Sequence, residues 1–161
     1  MVLADEQSQK QNVEKRGLTM GVTISSSNHS IDLGCGGFNQ LRTTVAKLTE
    51  PDIYEHYMDL NKGFNLYGEE RKIFFENYDK KIEELNEKYE NKYLDVLQFL
   101  YASDSEGVMD PHHCQSIYDV IKDYDDNVLY GYIGRPDCAR FRDFKEIVKE
   151  CIDTETDMEW D

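Results

Sequence analysis

The stretch from Glu69 to Ser103 constrains the fold more than any other part of this 161-residue chain. It contains neither glycine nor proline, and its apolar side chains recur every three or four residues: Phe75, Tyr78, Ile82, Leu85, Tyr89, Tyr93, Val96 and Leu100. This spacing predicts helix, because residues three or four apart share one helical face. One continuous helix would measure roughly 50 Å at about 1.5 Å per residue. Two antiparallel helices, with a break between Asn86 and Asn91, are the alternative.

Shorter patterns predict four more helices. One precedes Pro51, which closes it, and its apolar residues at spacings of three, four and three are Phe38, Leu41, Val45 and Leu48. A second short helix is expected over residues 52–60. Asp110 and Pro111 form a cap and first-turn pair for a third helix, which is expected to end near Asp125.

The fourth of these helices is expected to start at about Asp137, after a turn at Gly134. The expected buried faces of the two C-terminal helices are Ile117, Val120 and Ile121, and then Phe141, Phe144, Val148 and Cys151.

Two short segments have strand-like patterns. Val22 and Ile24 alternate with polar residues, and residues 128–133 are a second short strand candidate. The chain is therefore predicted to be α+β and predominantly helical, with about five helices and one or two short strands. A single globular domain is expected over residues 20–161. Residues 1–19 lack apolar periodicity and are expected to form a flexible N-terminal tail, which makes Met20 an alternative start.

Hydropathy and cysteine usage indicate a cytoplasmic protein. No run of about 18 apolar residues exists, and the first twenty residues lack the apolar centre of a secretory signal, so no membrane association is expected. The four cysteines are widely spaced, and reduced, mostly buried thiols are expected. They are Cys35, Cys114, Cys138 and Cys151.

Charge is distributed unevenly along the chain. The net charge is −15, yet residues 1–50 carry five acids and five bases. Residues 104–127 carry seven carboxylates and one lysine, and six carboxylates follow Lys149 without any base. Such a chain is not expected to bind nucleic acid or anionic lipid directly, because both require clustered cations. A basic protein partner is favoured instead.

Residues 31–37 resemble the glycine-rich first motif of methyltransferases that bind S-adenosylmethionine. That motif needs an apolar parallel strand before it and a second strand, ending in an acidic residue, after its helix. Here polar residues precede it and helical patterns follow it. A flexible structural turn at Gly34, Gly36 and Gly37 is therefore expected, with no cofactor.

Residues 104–114 resemble a fragment of a calcium-binding EF-hand loop. With Gly107 at the sharp turn, Asp104, Glu106 and Asp110 fall at the third, fifth and ninth ligand positions. Ala102 and His113 then replace the first and twelfth ligands, so no specific calcium site is expected.

The neighbouring cluster of His112, His113 and Cys114, with Cys138 as a further ligand, lacks the two close pairs of a zinc site. No metal site is expected here. A ligand- or metal-responsive module with a degenerate loop at 104–114 is the alternative functional hypothesis.

The acidic stretch after residue 104 is interleaved with tyrosines, and it carries the main functional hypothesis. Spaced carboxylates imitate phosphates, and tyrosines offer aromatic anchors to a basic surface. The candidate partner-binding residues are Asp119, Asp123, Asp125, Asp126, Tyr118, Tyr124, Tyr130 and Tyr132. A merely solubilising surface is the simpler interpretation.

In composition the chain resembles DNA mimics, phage-encoded anti-defence proteins, and immunity proteins that neutralise basic nuclease toxins. The resemblance implies a small, non-enzymatic inhibitor or adaptor that binds a basic nucleic-acid-handling protein. An enzyme is disfavoured, because no nucleophile, base and orienting group occur together in the sequence.

Overall fold

The computed structural model describes residues 21–130 and 139–161. Within these residues the chain is α+β and predominantly helical, which confirms the predicted class. The tail expected over residues 1–19 lies outside the described residues, as do Tyr132 and Cys138. No helix of the described residues combines the length and the apolar content that crossing a membrane requires.

Six helices occur in the described residues. In chain order they are α1 (Cys35–Lys47), α2 (Pro51–Phe64), α3 (Gly68–Lys88), α4 (Leu94–Leu100), α5 (Pro111–Ile121) and α6 (Phe141–Thr154).

The strands outnumber the one or two that the sequence indicated. They are β1 (Gly21–Ser25), β2 (Ser30–Gly34), β3 (Gly107–Met109), β4 (Leu129–Tyr130), β5 (Ala139–Arg140) and β6 (Met158–Trp160). Four of them form an antiparallel sheet in the order β2-β1-β6-β3, and β4 pairs with β5. Strand β6, which lies in the acidic stretch after Lys149, is therefore an interior strand of the main sheet.

Side chains alternate across the main sheet as the period of two requires. The buried residues of one face include Val22, Ile24, Leu33, Met158 and Trp160. Neighbours on the other face are more exposed, such as Asp32, Val108 and Glu159. The helices α1 and α6 contact the sheet, so the main core lies between it and the helices.

The glycines near residue 35 do not form the flexible turn that the sequence indicated. Gly34 ends β2, and Gly36 and Gly37 lie in the first turn of α1. Glycine costs a helix up to about 1 kcal/mol relative to alanine. Burial of Phe38 and Leu41, both 1% exposed, offsets that cost.

The long apolar stretch forms two helices, so the expectation of one continuous helix is wrong and the break that the alternative required is present. Helix α3 ends at Lys88, and α4 begins at Leu94. Glu90 and Asn91 between them adopt left-handed backbone angles, with φ of 52° and 62°. Asparagine tolerates this conformation better than most residues, which explains the position of the break.

Helices α5 and α6 pack against each other and form much of the core. Helix α6 starts at Phe141 rather than near Asp137, and a carboxylate oxygen of Asp143 accepts the backbone N–H of Arg140 at 2.8 Å. Such a bond satisfies a donor that a helix start leaves free. The predicted buried positions Phe141, Phe144 and Val148 are confirmed.

A buried arginine holds the chain segment that follows α4. The guanidinium of Arg42 donates to the carbonyls of Leu100, Ala102 and Ser103 at 2.8 to 3.1 Å. The indole Nε1 of Trp160 donates to the same Ser103 carbonyl at 2.9 Å. These bonds fix the segment that leads into β3 and α5.

Candidate protein-binding site

The four candidate aspartates lie at the C-terminal end of α5 and in the loop after it. Asp119 is in the last turn of the helix, and Asp123, Asp125 and Asp126 follow it. All four are exposed. Together they form what we call the acidic face.

Three of these four carboxylates have no cationic partner within residues 21–130 and 139–161. Asp119 accepts a hydrogen bond from Nε2 of Gln115 at 3.0 Å, and Asp125 accepts the backbone N–H of Asn127 at 2.9 Å. Both contacts are with neutral groups. The negative charges of Asp119, Asp123 and Asp125 are therefore not offset by any described ion pair.

Asp126 differs from the other three because Lys145 of α6 neutralises it. The Lys145 ammonium lies 2.8 Å from Oδ1 of Asp126. It also donates to the carbonyls of Lys122 and Tyr124, which follow the last turn of α5. A cation suits this place because helix C-termini carry partial negative charge. Lys145 thus caps the end of α5.

An open groove of about 700 Å³ lies between α5 and α6, next to the acidic face. Two of its basic residues pair with carboxylates of α6: Arg142 with Glu146 at 3.9 Å, and Lys149 with Asp153 at 3.3 Å. Lys145 is already bound to Asp126. The groove therefore presents alternating charges and has the composition of a polar protein surface rather than of an anion pocket.

The candidate tyrosines contribute to packing as well as to the surface. Tyr118 and Tyr124 are half-buried against the main core. The Tyr124 ring meets Phe141 edge-on at 4.8 Å, and the Lys149 ammonium lies 5.5 Å from the Tyr118 ring centre. Tyr130 is in β4, but its side chain and the whole of Tyr132 lie outside the described residues.

The residues of the EF-hand-like segment have structural roles in this fold. Gly107 begins β3, and Asp104 lies 3.2 Å from the Arg42 guanidinium. Asp110 is the N-cap of α5, and the hydrogen bond from the backbone N–H of His113 lowers the pKa of Asp110. The segment therefore forms a strand and a helix cap in this fold.

His112 and His113 join a polar cluster between α4 and α5. Asp95 lies 2.9 Å from Nδ1 of His112 and accepts the Ser116 hydroxyl at 2.7 Å. His113 contacts Asp110 through Nδ1 and Gln98 through Nε2. In the part of the chain that the structure describes, no group of three or more metal-ligating side chains is arranged to hold an ion.

Cys114 does not point into that cluster. It is fully buried, and burial raises its pKa to about 12. Cys151 is also a free, fully buried thiol. For these two residues the expected buried thiols are confirmed, and neither has the thiolate character of a nucleophile.

The second acidic stretch, residues 150–161, does not form one charged surface. Glu150 accepts the backbone N–H of Asn28 at 2.8 Å and also contacts the side chain of His29. The hydrogen bond with His29 lowers the pKa of Glu150. Asp153 pairs with Lys149, whereas Met158 and Trp160 are buried in the sheet. The acidic face is therefore the stronger candidate for an interaction.

Two residues of this region were missed by the sequence argument. Lys145 neutralises Asp126 only because α5 and α6 are antiparallel, and no local pattern shows that pairing. Asp95 is the one charged residue in a mostly apolar run, and such a position predicts a carboxylate that packs against other side chains.

Comparison of this chain with protein-family models, with curated proteins and with solved structures gives no match.

Proposed function

We propose that this chain is a non-enzymatic inhibitor or adaptor that binds a basic, nucleic-acid-handling protein through the acidic face. One observation carries the proposal: Asp119, Asp123 and Asp125 are exposed and have no cationic partner in the described residues. A basic partner can pair with them without displacing an internal ion pair. The proposal places the complex in the cytoplasm and requires no cofactor.

The location of these charges supports binding over simple solubility. Asp119 lies in the last turn of α5, which contains no basic residue. A carboxylate there is unfavourable by about 0.3 to 1 kcal/mol, because it meets the negative end of the helix dipole. A solubilising carboxylate is tolerated at many other surface positions at no such cost. A carboxylate at this unfavourable position therefore favours a role outside folding.

The mechanism is electrostatic attraction followed by steric blocking. The carboxylates of the acidic face occupy partner sites that otherwise bind phosphate, and they accelerate encounter at low salt. The half-buried rings of Tyr118 and Tyr124, next to Asp119 and Asp123 in sequence, add apolar contact. Opposite charge governs how fast the complex forms, and aromatic contact governs how long it lasts.

The test replaces Asp119, Asp123, Asp125 and Asp126 together by Asn. Wild-type and variant chains serve as baits in the native host, and captured proteins are tested for competition by duplex DNA. For the captured partner we expect the association rate constant at low salt to fall on the order of tenfold in the variant. We also expect the wild-type rate to fall steeply toward physiological salt, as the Debye length shrinks to about 8 Å.

A matched control removes four exposed carboxylates of α3 instead: Glu76→Gln, Asp79→Asn, Glu83→Gln and Glu87→Gln. Both variants lose the same charge, so only its position differs. A normal association rate in the control, together with a slow rate in the Asn variant, supports the acidic face. Equal rates in the two variants, or a partner that DNA does not displace, contradicts the proposal.

A further inference from the structure

The hairpin formed by α2 and α3 carries four of the large apolar side chains that are exposed in the described residues. Seven large apolar side chains are exposed in the described residues, and four of them lie between residues 58 and 73. These are Met58, Phe64, Tyr67 and Ile73, with exposed fractions of 40, 42, 81 and 53%. Single exposed apolar residues are ordinary, whereas a group within one hairpin marks an interaction surface.

A separate aromatic cluster supports the end of the hairpin where α2 meets α3, residues 64–73, which we call the hairpin end. The Phe64 ring lies 5.9 Å from that of Phe75, and Phe74 lies 5.3 Å from Phe75 and 5.8 Å from Tyr78. None of these four residues belongs to the main hydrophobic core. The hairpin end therefore has its own rigid apolar base.

Close contact of the two helices depends on Gly63. A Cβ added there would lie 2.5 Å from the Phe74 ring and 2.8 Å from that of Phe75. The absent side chain lets α2 approach these rings, so the base of the cluster is tightly packed. Rigid aromatic surfaces lose little conformational entropy when they bind.

Charge at the hairpin end is balanced, in contrast to the chain as a whole. Residues 64–73 carry two acids, Glu69 and Glu70, followed directly by two bases, Arg71 and Lys72. The Arg71 guanidinium lies 5.9 Å from the Phe64 ring centre and 5.7 Å from that of Phe75. Phenylalanine, tyrosine, methionine and arginine are among the residues enriched at protein interfaces.

We infer that the hairpin end binds a second copy of this chain in a two-fold symmetric contact. In such a contact, residue i of one copy meets residue j of the other, and the reverse also holds. Glu69 and Lys72 lie three residues apart and share one face of α3, so in this contact each meets the oppositely charged residue of the other copy. Copies with a net charge of −15 repel each other over most of their surface, and this segment is neutral and self-complementary.

The zero net charge of residues 64–73 distinguishes this surface from the acidic face. A basic partner would gain no electrostatic steering at residues 64–73, because the local charges cancel. The inference goes beyond the proposed function and does not depend on it. A variant that loses self-association keeps the acidic face intact, and a variant of the acidic face keeps the hairpin end intact.

The test measures the mass of the full chain by sedimentation, up to about 200 μM protein, where even weak dimers form. Salt is held at about 150 mM to shorten the range of the repulsion. We expect wild-type protein to dimerise, and Tyr67→Ser with Ile73→Ser to raise the dissociation constant at least about tenfold. Val108→Ser removes a similarly exposed apolar side chain, 55% exposed, in β3 and should change nothing.

Charge reversal tests whether the hairpin end binds a second copy of this chain. Arg71→Glu with Lys72→Glu forms one variant, and Glu69→Lys with Glu70→Lys forms the other. Each variant alone should be monomeric, and an equimolar mixture should dimerise. Circular dichroism of every variant confirms that it is folded. A wild-type chain that stays monomeric, a mixture that fails to associate, or an equal loss in Val108→Ser overturns the inference.

Discussion

Gly107 of β3 lies directly against the indole of Trp160 in β6, with no space between them for a side chain. The two residues are register partners in the sheet, and a Cβ added to Gly107 would overlap the indole ring. Trp160 is 2% exposed and also contacts the rings of Phe38 and Phe99. The glycine that resembles the turn residue of a calcium loop thus makes room for the tryptophan.

Gly107→Ala should destabilise the fold by about 1 to 3 kcal/mol, since it overpacks the core beneath a fixed ring. Gly36→Ala is the matched control, because nothing lies within 4 Å of an added Cβ there. Gly36 is in α1, so its replacement should leave stability unchanged or raise it by up to about 1 kcal/mol. Urea unfolding of both variants measures the difference. Equal effects would show that Trp160 moves aside freely.

Leu85→Ala should cost about 2 to 4 kcal/mol, because Leu85 is 2% exposed and packs into the main core. Glu84→Ala, one residue earlier on α3, should cost far less, because Glu84 is exposed and lies 3.7 Å from Lys81. Chemical denaturation of both variants provides the comparison. Similar midpoints would contradict the orientation of α3.

His56 should make the protein less stable as the pH falls. Burial lowers its pKa below 6.5, with Asp59, Asp79 and Lys81 as the nearby charges. Nδ1 accepts the Tyr101 hydroxyl at 2.6 Å, and Nε2–H donates to the Tyr78 carbonyl at 3.1 Å, so the neutral ring is the one that fits. The unfolded chain therefore binds the proton more readily than the folded chain does. The contribution of neutral His56 to the stability of the fold is lost as the pH falls below about 6.5.

The loss grows with the difference between the pKa of His56 in the unfolded chain and its lower pKa in the folded chain. His56→Gln removes the titrating group, so the wild-type chain should lose more stability than the variant between pH 7.5 and 5.5. Unfolding free energies across this range measure the difference between the two chains. Parallel pH profiles would show that His56 takes up its proton without disturbing the fold.

Cys114 and Cys151 should be unreactive in the native protein. Both are fully buried, and burial raises the pKa of each thiol. In a chain with Cys35→Ser and Cys138→Ser, a thiol reagent should react only after denaturant is added. Rapid labelling under native conditions would mean that the packing between α5 and α6 opens readily.

Helix positions were largely predictable, whereas strand pairing was not. The apolar spacing in α6 identifies Phe141, Phe144 and Val148 as a buried face, because helical periodicity is a local property. Strand β6 has only three residues within an acidic stretch, and its partners are distant in sequence. Its alternation of Met158, Glu159 and Trp160 is too short to stand out.

The charge pattern of the candidate site was predictable only in part. Exposure of Asp123 and Asp125 follows from their polar local sequence, and Asp119 lies off the predicted apolar stripe of α5. The pairing of Asp126 with Lys145 depends on the packing of α6 beside α5. A count of charges along the chain therefore gives the acidic stretch but not which of its carboxylates is already neutralised.

We expect only one of the four carboxylates of the acidic face to stabilise the fold. Asp119→Asn, Asp123→Asn and Asp125→Asn together should leave the unfolding free energy unchanged or raise it slightly, because they remove mutual repulsion and an unfavourable helix-end carboxylate. Asp126→Asn should instead lower it by less than about 1 kcal/mol, since Lys145 loses its exposed carboxylate partner. Lys145 still donates to the carbonyls of Lys122 and Tyr124, which limits the loss. Thermal and urea unfolding at low and high salt measure both effects, and the gain in the triple variant should shrink with salt as repulsion is screened. A triple variant that unfolds more easily than wild type would mean that these carboxylates stabilise the fold itself, and their exposure would then favour no partner.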